Sequence, residues 1–460
     1  MNVCMTKLRL IICLLLLHAS LSAQTAMKSE LDSLLNDGLL DTVDASVVIY
    51  DLDEDTLLYA HRENKLVRPA SVLKVITSAV AAEKLGSDYT IDTELFATGC
   101  DTALNLYVKG RMDPLFGIDD ISDMVAAVPA GSVVDTIFAD CSFTDSLYWG
   151  SGWVWDDNPY GFQPYLSPLM VCGGSVEVVV SPTVKGEAPQ FKVTPESSFY
   201  SVVNEAVCND PSLGKLTILR DWLEDSNVIR IRGNCTKRYK EKINMYKSAD
   251  FFLALLAERL DSAGIEVRAL SFGKVPPVSE CIHVKHRQLA DVVNEALMES
   301  DNLCAEALVY HLAAIGNESP LSMDEGCSVI RRFLTGKLDV KQSFSIADGS
   351  GLSVYNYLSA DMLLRTLVRV RKNHRVFRIL YNALPLSGVS GTMKNRTKGS
   401  AAYRKVRAKT GTVKGVCTLA GYARNSAGHL CAFVILNSGL QKASLVREWQ
   451  DRVLEVICKH

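Results

Sequence analysis

Ser71-Val-Leu-Lys-Val-Ile-Thr-Ser-Ala-Val-Ala-Ala-Glu-Lys-Leu85, closed by Gly86, is an unbroken helical pattern with a serine in its first turn. Its apolar positions recur at helical spacing and Gly86 supplies the stop, so the spacing predicts a helix over 71–85. A serine so placed is surrounded by backbone N–H groups without intrahelical partners and by the positive end of the helix dipole. Residues three apart share a helix face, which brings Lys74 to the Ser71 hydroxyl. A lysine amine serves as a base near neutral pH only if its pKa falls from about 10.4. Burial and a second nearby cation both have that effect. The S-x-x-K pattern occurs three times, the other copies being Ser212-Leu-Gly-Lys215 and Ser271-Phe-Gly-Lys274. Both carry glycine before the lysine, the first follows Pro211, and both read as loops.

Two further strings follow in order. Ser300-Asp-Asn302 lies within a helical stretch over 288–314, and Lys409-Thr-Gly411 lies on a predicted strand from Arg404 to Thr412. Ser300 can join a proton relay with Lys74, and the Asn302 amide can hold a substrate peptide carbonyl. Asp301 reads as a structural residue pointing away. Lys409 is the candidate second cation and, with Thr410, a candidate receiver of a substrate carboxylate. Gly411 has no Cβ, so a substrate backbone can come close. The N–H groups of Thr412 and Ser71 would form the oxyanion hole. Each string alone reads as something plainer: a capping serine with a surface lysine, a polar loop, an edge strand. Jointly they name a nucleophile, a base and an electrostatic clamp, the motif set of serine acyl transfer.

With 460 residues, the chain exceeds what one hydrophobic core usually serves. A hydrophobic share of 48% and a charged share of 22% are those of an ordinary globular protein. The net charge of −3 gives no case for nucleic-acid binding. Residues 1–23 read as an export signal, with Lys7 and Arg9 ahead of the apolar run Leu10 to Leu17 and small residues through Ala23. That run is too short to span a bilayer, and Cys4 and Cys13 sit in no lipoprotein box. The expectation is a periplasmic protein without a transmembrane anchor. The other eleven cysteines show no C-x-x-C spacing and read mostly as small buried residues. No metal or cofactor is called for; Asp51–Asp55 reads as a solvated turn, and His283-Val-Lys-His286 lacks the glutamate of a zinc peptidase.

The runs 45–50 and 56–60 read as two strands, and 416–423 and 430–436 as two more. A helix is expected at 443–458 with apolar positions Leu445, Trp449, Val453, Leu454 and Ile457. Between them, 91–280 alternates short β-branched runs with turn clusters and holds one helix at 248–263. The division expected is 24–90 and 281–460 as two parts of one mixed α/β domain, with 91–280 inserted as a β-rich block.

At this point the residues resemble the low-molecular-mass class C penicillin-binding proteins, the D-alanyl-D-alanine carboxypeptidases/endopeptidases. The resemblance runs through Arg68 to Lys74, Ser300 to Glu306, Asp348-Gly-Ser-Gly-Leu-Ser353, Leu384 to Thr392 and Val406 to Thr412, with traces at Gly110 to Pro114 and Gly152 to Asp157. It implies a transpeptidase/β-lactamase-like domain carrying the insertion between the first and second motifs. It implies cleavage of D-Ala–D-Ala bonds and D-amino-acid cross-links in peptidoglycan stem peptides, with β-lactam antibiotics as inhibitors. It also implies that an aspartate of the insertion, Asp157 with Asp156 as the alternative, receives the cationic amino group of diaminopimelate. The chain departs from the family at Val354, where arginine is usual, at Ser390, where aspartate is usual, and at Val171-Cys-Gly-Gly174, which lacks the common asparagines. A β-lactam-hydrolysing enzyme would share the three motifs. However, no E-x-x-L-N string follows Ser300, and compact enzymes of that kind lack the inserted block. A non-catalytic wall-binding or sensing module on the same fold is opposed by the intact Ser71, Lys74 and Lys409.

Overall fold

The computed structural model describes residues 24–100 and 103–460, so the expected export signal lies outside the described residues. The chain divides into two compact units. The first comprises residues up to 83, 293–300 and 330–460; the second comprises 84–292 and 301–329.

The first unit is built on a five-stranded antiparallel sheet in the order Val406–Val413, Val416–Arg424, Leu430–Ser438, Asp44–Asp51, Thr56–His61. The last strands of the chain thus complete a sheet that the first strands begin. Two strands, Val416–Arg424 and Leu430–Ser438, are buried almost from end to end, as a sheet covered on both faces requires. One face takes the C-terminal helix, Ala443–Lys459, through Trp449, Val453 and Ile457, which join a core with Ile49, Phe433 and Met27. The buried Trp449 also donates its indole N–H to the Leu34 carbonyl at 2.9 Å. Helix Ala360–Lys372 is fastened to the sheet where the buried Tyr422 hydroxyl donates to the Leu367 carbonyl at 2.9 Å. The helix after the nucleophile runs Leu73–Leu85, preceded by a 3-10 turn over Ala70–Val72, and Leu73 to Ala82 are all buried.

The second unit holds a six-stranded mixed sheet centred on Val133–Asp140, Ala103–Lys109 and Thr90–Cys100, with Glu280–Gln288 on one edge. Three smaller sheets join it, and helix Ser248–Ser262 fills a core with Leu106, Ile137, Phe252 and Leu256. The helical stretch expected over 288–314 consists of two helices, Leu289–Met298 and Asn302–Ala313, broken where Ser300 takes φ +67°. Ser271, read as loop, lies on the short strand Leu270–Phe272. Leu445, one of the apolar positions of the C-terminal helix, is 47% exposed. Among the described residues no helix is long and apolar enough to cross a membrane.

Trp449 carries both apolar packing and a buried hydrogen bond. Trp449→Ala is expected to cost about 3–5 kcal/mol of this unit's stability. Chemical denaturation followed by circular dichroism checks it, and an unchanged midpoint would refute the assignment.

Candidate active site

Ser71 sits in the 3-10 turn that opens the helix Leu73–Leu85. The preceding residue, Ala70, takes φ +49°, a left-handed conformation that a side chain tolerates only under constraint. Three contacts supply that constraint. Thr418 of the adjacent strand donates its hydroxyl to the Pro69 carbonyl at 2.7 Å. Gly351, with φ +84°, packs so tightly that a Cβ there would run into the Ala70 carbonyl oxygen. Gly411 lies so close that a Cβ on it would stand 2.9 Å from the Ser71 backbone nitrogen.

Lys74 is fully buried, and its Nζ is 2.9 Å from Ser71 Oγ and 3.0 Å from the Ser350 carbonyl oxygen. That carbonyl belongs to a turn wrapped around Asp348. Asp348 Oδ1 accepts from the Gly351 N–H at 2.9 Å and from Asn356 Nδ2 at 2.7 Å, and its Oδ2 accepts from the Ser353 N–H at 2.6 Å. One helical turn beyond Lys74, Thr77 donates its hydroxyl to the Gly349 carbonyl at 2.7 Å. A buried carboxylate saturated by such donors fixes the turn, and the turn fixes the Lys74 amine.

Lys409 is also fully buried and donates to Ser300 Oγ at 2.7 Å and to the Thr410 carbonyl at 2.8 Å. Burial, then the nearby Lys74, push its pKa well below the ordinary lysine value. Two buried amines facing one another disfavour a second positive charge, so the pair can keep one amine neutral. The strand Val406–Val413 is an edge of its sheet. Its Ala408 N–H turns outward to the Pro385 carbonyl at 3.0 Å. Backbone groups of alternate residues point the same way, so the Thr412 N–H also faces outward. Thr410 shares a 2.8 Å hydroxyl hydrogen bond with Thr392. This unit therefore holds Ser71, Lys74, Ser300, Lys409, Thr410, Gly411 and Thr412.

Asn302 and Asp157 belong to the second unit. Asn302 opens the helix Asn302–Ala313 and donates through Nδ2 to the Phe162 carbonyl at 2.7 Å. Asp301 is its N-cap, accepting from the Cys304 N–H at 2.8 Å, the structural task expected of it. Asp157 ends the 3-10 turn Trp155–Asp157 and is half-buried. Burial, then the neighbouring Asp156, raise its pKa. Its carboxylate caps none of the turn's N–H groups, and the Tyr160 N–H goes instead to the Asp157 main-chain carbonyl. Of the other S-x-x-K copies, Ser212 lies in a short 3-10 turn, where it donates to Asp210, and Ser271 lies on a strand; neither opens a helix. Sequence reasoning missed the Asp348 turn as a support for Lys74, although the string Asp348-Gly-Ser-Gly-Leu-Ser353 marked the place.

Comparison with known proteins gives the same answer from a different direction. Residues 27–456 match the family model described as D-Ala-D-Ala carboxypeptidase 3 (S13) family. A D-alanyl-D-alanine carboxypeptidase of Actinomadura sp. (strain R39) is 29% identical over 454 residues, covering 92% of this chain and 83% of that protein. The D-alanyl-D-alanine carboxypeptidase DacB of Haemophilus influenzae is 24% identical, covering 86% of this chain and 85% of that protein. Among solved structures, penicillin binding protein 4 (dacB) from Haemophilus influenzae superposes with a TM-score of 0.78 at 21% identity, covering 90% of this chain and 95% of that one. A second structure of that protein, complexed with a β-lactam, has a TM-score of 0.75 at 20% identity, covering 93% and 99%. These structures share the penicillin-binding fold, and the family match extends over nearly the whole sequence: the chain belongs to the D-Ala-D-Ala carboxypeptidase 3 (S13) family.

Proposed function

We propose that the chain hydrolyses D-alanyl-D-alanine ends and D-amino-acid cross-links of peptidoglycan stem peptides through a Ser71 acyl-enzyme. The observation that supports this most is the buried Lys74 amine, 2.9 Å from Ser71 Oγ. In the first half-reaction, Ser71 Oγ attacks the carbonyl carbon of the penultimate D-alanine and its proton passes to Lys74 Nζ. The Ser350 carbonyl accepts an N–H of that amine, which leaves the nitrogen lone pair for the serine. The N–H groups of Ser71 and Thr412 take the developing oxyanion. The leaving amine acquires a proton by way of Ser300, whose hydroxyl is oriented by the N–H that Lys409 Nζ donates to it at 2.7 Å. Thr410 and Lys409 draw the substrate carboxylate, Gly411 admits its backbone, and the Asn302 amide holds a peptide carbonyl. In the second half-reaction, water, deprotonated by the same lysine, attacks the ester carbon and releases Ser71.

A β-lactam presents a strained amide to the same serine and would be retained as a slowly hydrolysed ester. The inserted block, 91–280 in the sequence reading, would supply recognition of the stem peptide. Export of the chain by residues 1–23 would place it in the periplasm with its substrate. A labelled penicillin is expected to mark the wild type at Ser71 and to leave Ser71→Ala unmarked, as read by peptide mass spectrometry. Adducts at Ser212 or Ser271, or persistent labelling of Ser71→Ala, would sink the proposal.

Asp157 would bind the cationic amine of the stem peptide and take no part in bond breaking. Its half-buried carboxylate accepts no turn N–H group, which leaves it open to an incoming cation. Penicillin has no such amine. Asp157→Asn is therefore expected to cut hydrolysis of diaminopimelate-containing peptides about tenfold or more while penicillin acylation stays near normal. Equal losses in both rates would contradict the role.

The lowered pKa of Lys409 has a consequence for stability. In the unfolded chain this lysine returns to the ordinary value of 10.5. Between the lowered value and 10.5 the unfolded chain binds more protons than the folded one, so stability rises with pH through that window. Lys409→Met removes this contribution. The denaturation midpoint of the wild type is expected to gain more between pH 7 and pH 9 than that of the variant, with equal gains as the contrary result.

A further inference from the structure

Two thiols in the second unit face one another, and the acyl-transfer steps use neither. Cys208 ends the strand Val207–Cys208, and Cys235 ends the strand Asn234–Cys235 beside it. The two strands run parallel, with Cys208 opposite Cys235 in register. Register partners on neighbouring strands project to the same face. Both residues are fully buried, in one core with Ala206, Ile218 and Ile231. Each carries a free thiol, and the two thiols share a hydrogen bond. Among the described residues no other cysteine on a paired strand is opposite a cysteine: Cys100 faces Ala103, Cys281 faces Phe96, Cys417 faces Thr412 and Asn437, and Cys431 faces Ala423 and Asp51.

The backbone holds the pair in place. The Cys208 N–H donates to the Glu187 carbonyl and the Cys208 carbonyl accepts from the Gly186 N–H, both at 2.8 Å. On the other side, the Asn209 N–H donates to the Cys235 carbonyl at 3.3 Å and the Val207 N–H to the Gly233 carbonyl at 3.1 Å. Neighbouring strands lie about 4.8 Å apart, inside the Cα separation of about 4.4–6.8 Å that a disulfide spans. An S–S bond therefore fits here without displacing either strand. Two residue pairs make a ladder that holds little by itself. Between them the chain runs out and back through the strands Thr217–Arg220 and Val228–Arg232, so a link from Cys208 to Cys235 closes that whole excursion.

Burial decides when such a bond forms. With both sulfurs out of solvent, a disulfide donor has no access to them in the folded chain. Burial, then the neighbouring Cys208, also raise the pKa of the Cys235 thiol, which withholds the reactive thiolate. Closure therefore belongs to folding, while the two strands are coming together. We propose that Cys208 and Cys235 are joined by a disulfide as the chain folds in the presence of a disulfide donor, and that the bond staples the small parallel sheet of the second unit. One cysteine thiolate attacks a sulfur of the donor's disulfide, which releases one donor thiol and leaves a mixed disulfide. The second thiolate attacks the sulfur of the first cysteine, forms the S–S bond of the protein and expels the second donor thiol. Two protein thiols are oxidised, the donor disulfide is reduced to two thiols, and the two S–H protons end on them. An exported chain meets such donors and a chain kept in a reducing compartment does not. The cellular side of this inference thus rests on the reading of residues 1–23 as an export signal.

The test starts from the full chain, reduced, unfolded and refolded with oxidised glutathione. Remaining thiols are blocked with iodoacetamide in denaturant, and the protein is digested with trypsin without reductant. In protein that has regained its circular dichroism spectrum, mass spectrometry is expected to find the peptides Val193–Lys215 and Gly233–Lys237 linked through their single cysteines. Both cysteines alkylated or glutathionylated in that refolded protein would overturn the inference. Limited trypsin digestion reads the staple itself. Adding reductant in mild urea is expected to speed cleavage within 209–234 about tenfold in the wild type and to change nothing in Cys208→Ser. An equal acceleration in both, or none in the wild type, contradicts the staple. The same linked peptides sought in protein from the cell envelope separate the two readings. Found there, they support both. Found after refolding and absent from the envelope protein, they leave the pairing standing and overturn the export of the chain.

Discussion

The site depends on one buried amine held in one place. Lys74 lies wholly out of solvent, between the Ser71 hydroxyl and the Ser350 carbonyl. A lysine in that position is costly to bury as a cation and, once neutral, is a base aimed at its target. Much of what surrounds it reads as a means of keeping it there. The Asp348 turn presents the Ser350 carbonyl, and Thr77 binds the turn to the nucleophile's own helix. Burial and the nearby Lys74 disfavour the charge on Lys409. The active amine is thus a property of packing and charge, and only secondarily of helical spacing.

Holding it has a cost in backbone conformation, and the cost is local. Ala70 and Ser300 both take left-handed φ values that side chains ordinarily avoid, and each adjoins or carries a reacting hydroxyl. At Ala70 the Thr418 hydroxyl and the missing side chain of Gly351 hold the turn, so a sheet residue and a distant loop both set the position of the nucleophile. At Ser300 the same conformation ends one helix, and Asp301 caps the next. The serine is released from helical geometry and meets Lys409 Nζ at 2.7 Å. The five-stranded sheet supplies the rigid frame, because its edge strand places Lys409, Thr410, Gly411 and Thr412 at consecutive positions.

Much of this is legible in the sequence because it is written in side chains. The strands of the first sheet show as β-branched runs separated by short turns, and the nucleophile helix shows as an apolar pattern stopped by Gly86. The break at Ser300 is not legible, since apolar positions on both sides continue the helical period across it. Leu445 fits the apolar pattern by spacing, yet it is 47% exposed, while its neighbour Val446 takes the buried position beside Cys417 and Val43. The contribution of Ser350 is a backbone carbonyl, for which no residue type is a signal; only the aspartate and glycines around it hint at a tight turn.

The central claim is that the Lys74 amine acts as the base, and Lys74→Arg tests it most directly. Arginine keeps a cation in the pocket and cannot give up its proton near neutral pH. The account predicts that the acylation rate constant under saturating penicillin falls by ~10²–10⁴-fold, with the circular dichroism spectrum unchanged. A folded Lys74→Arg variant that is acylated at a near-normal rate would contradict it.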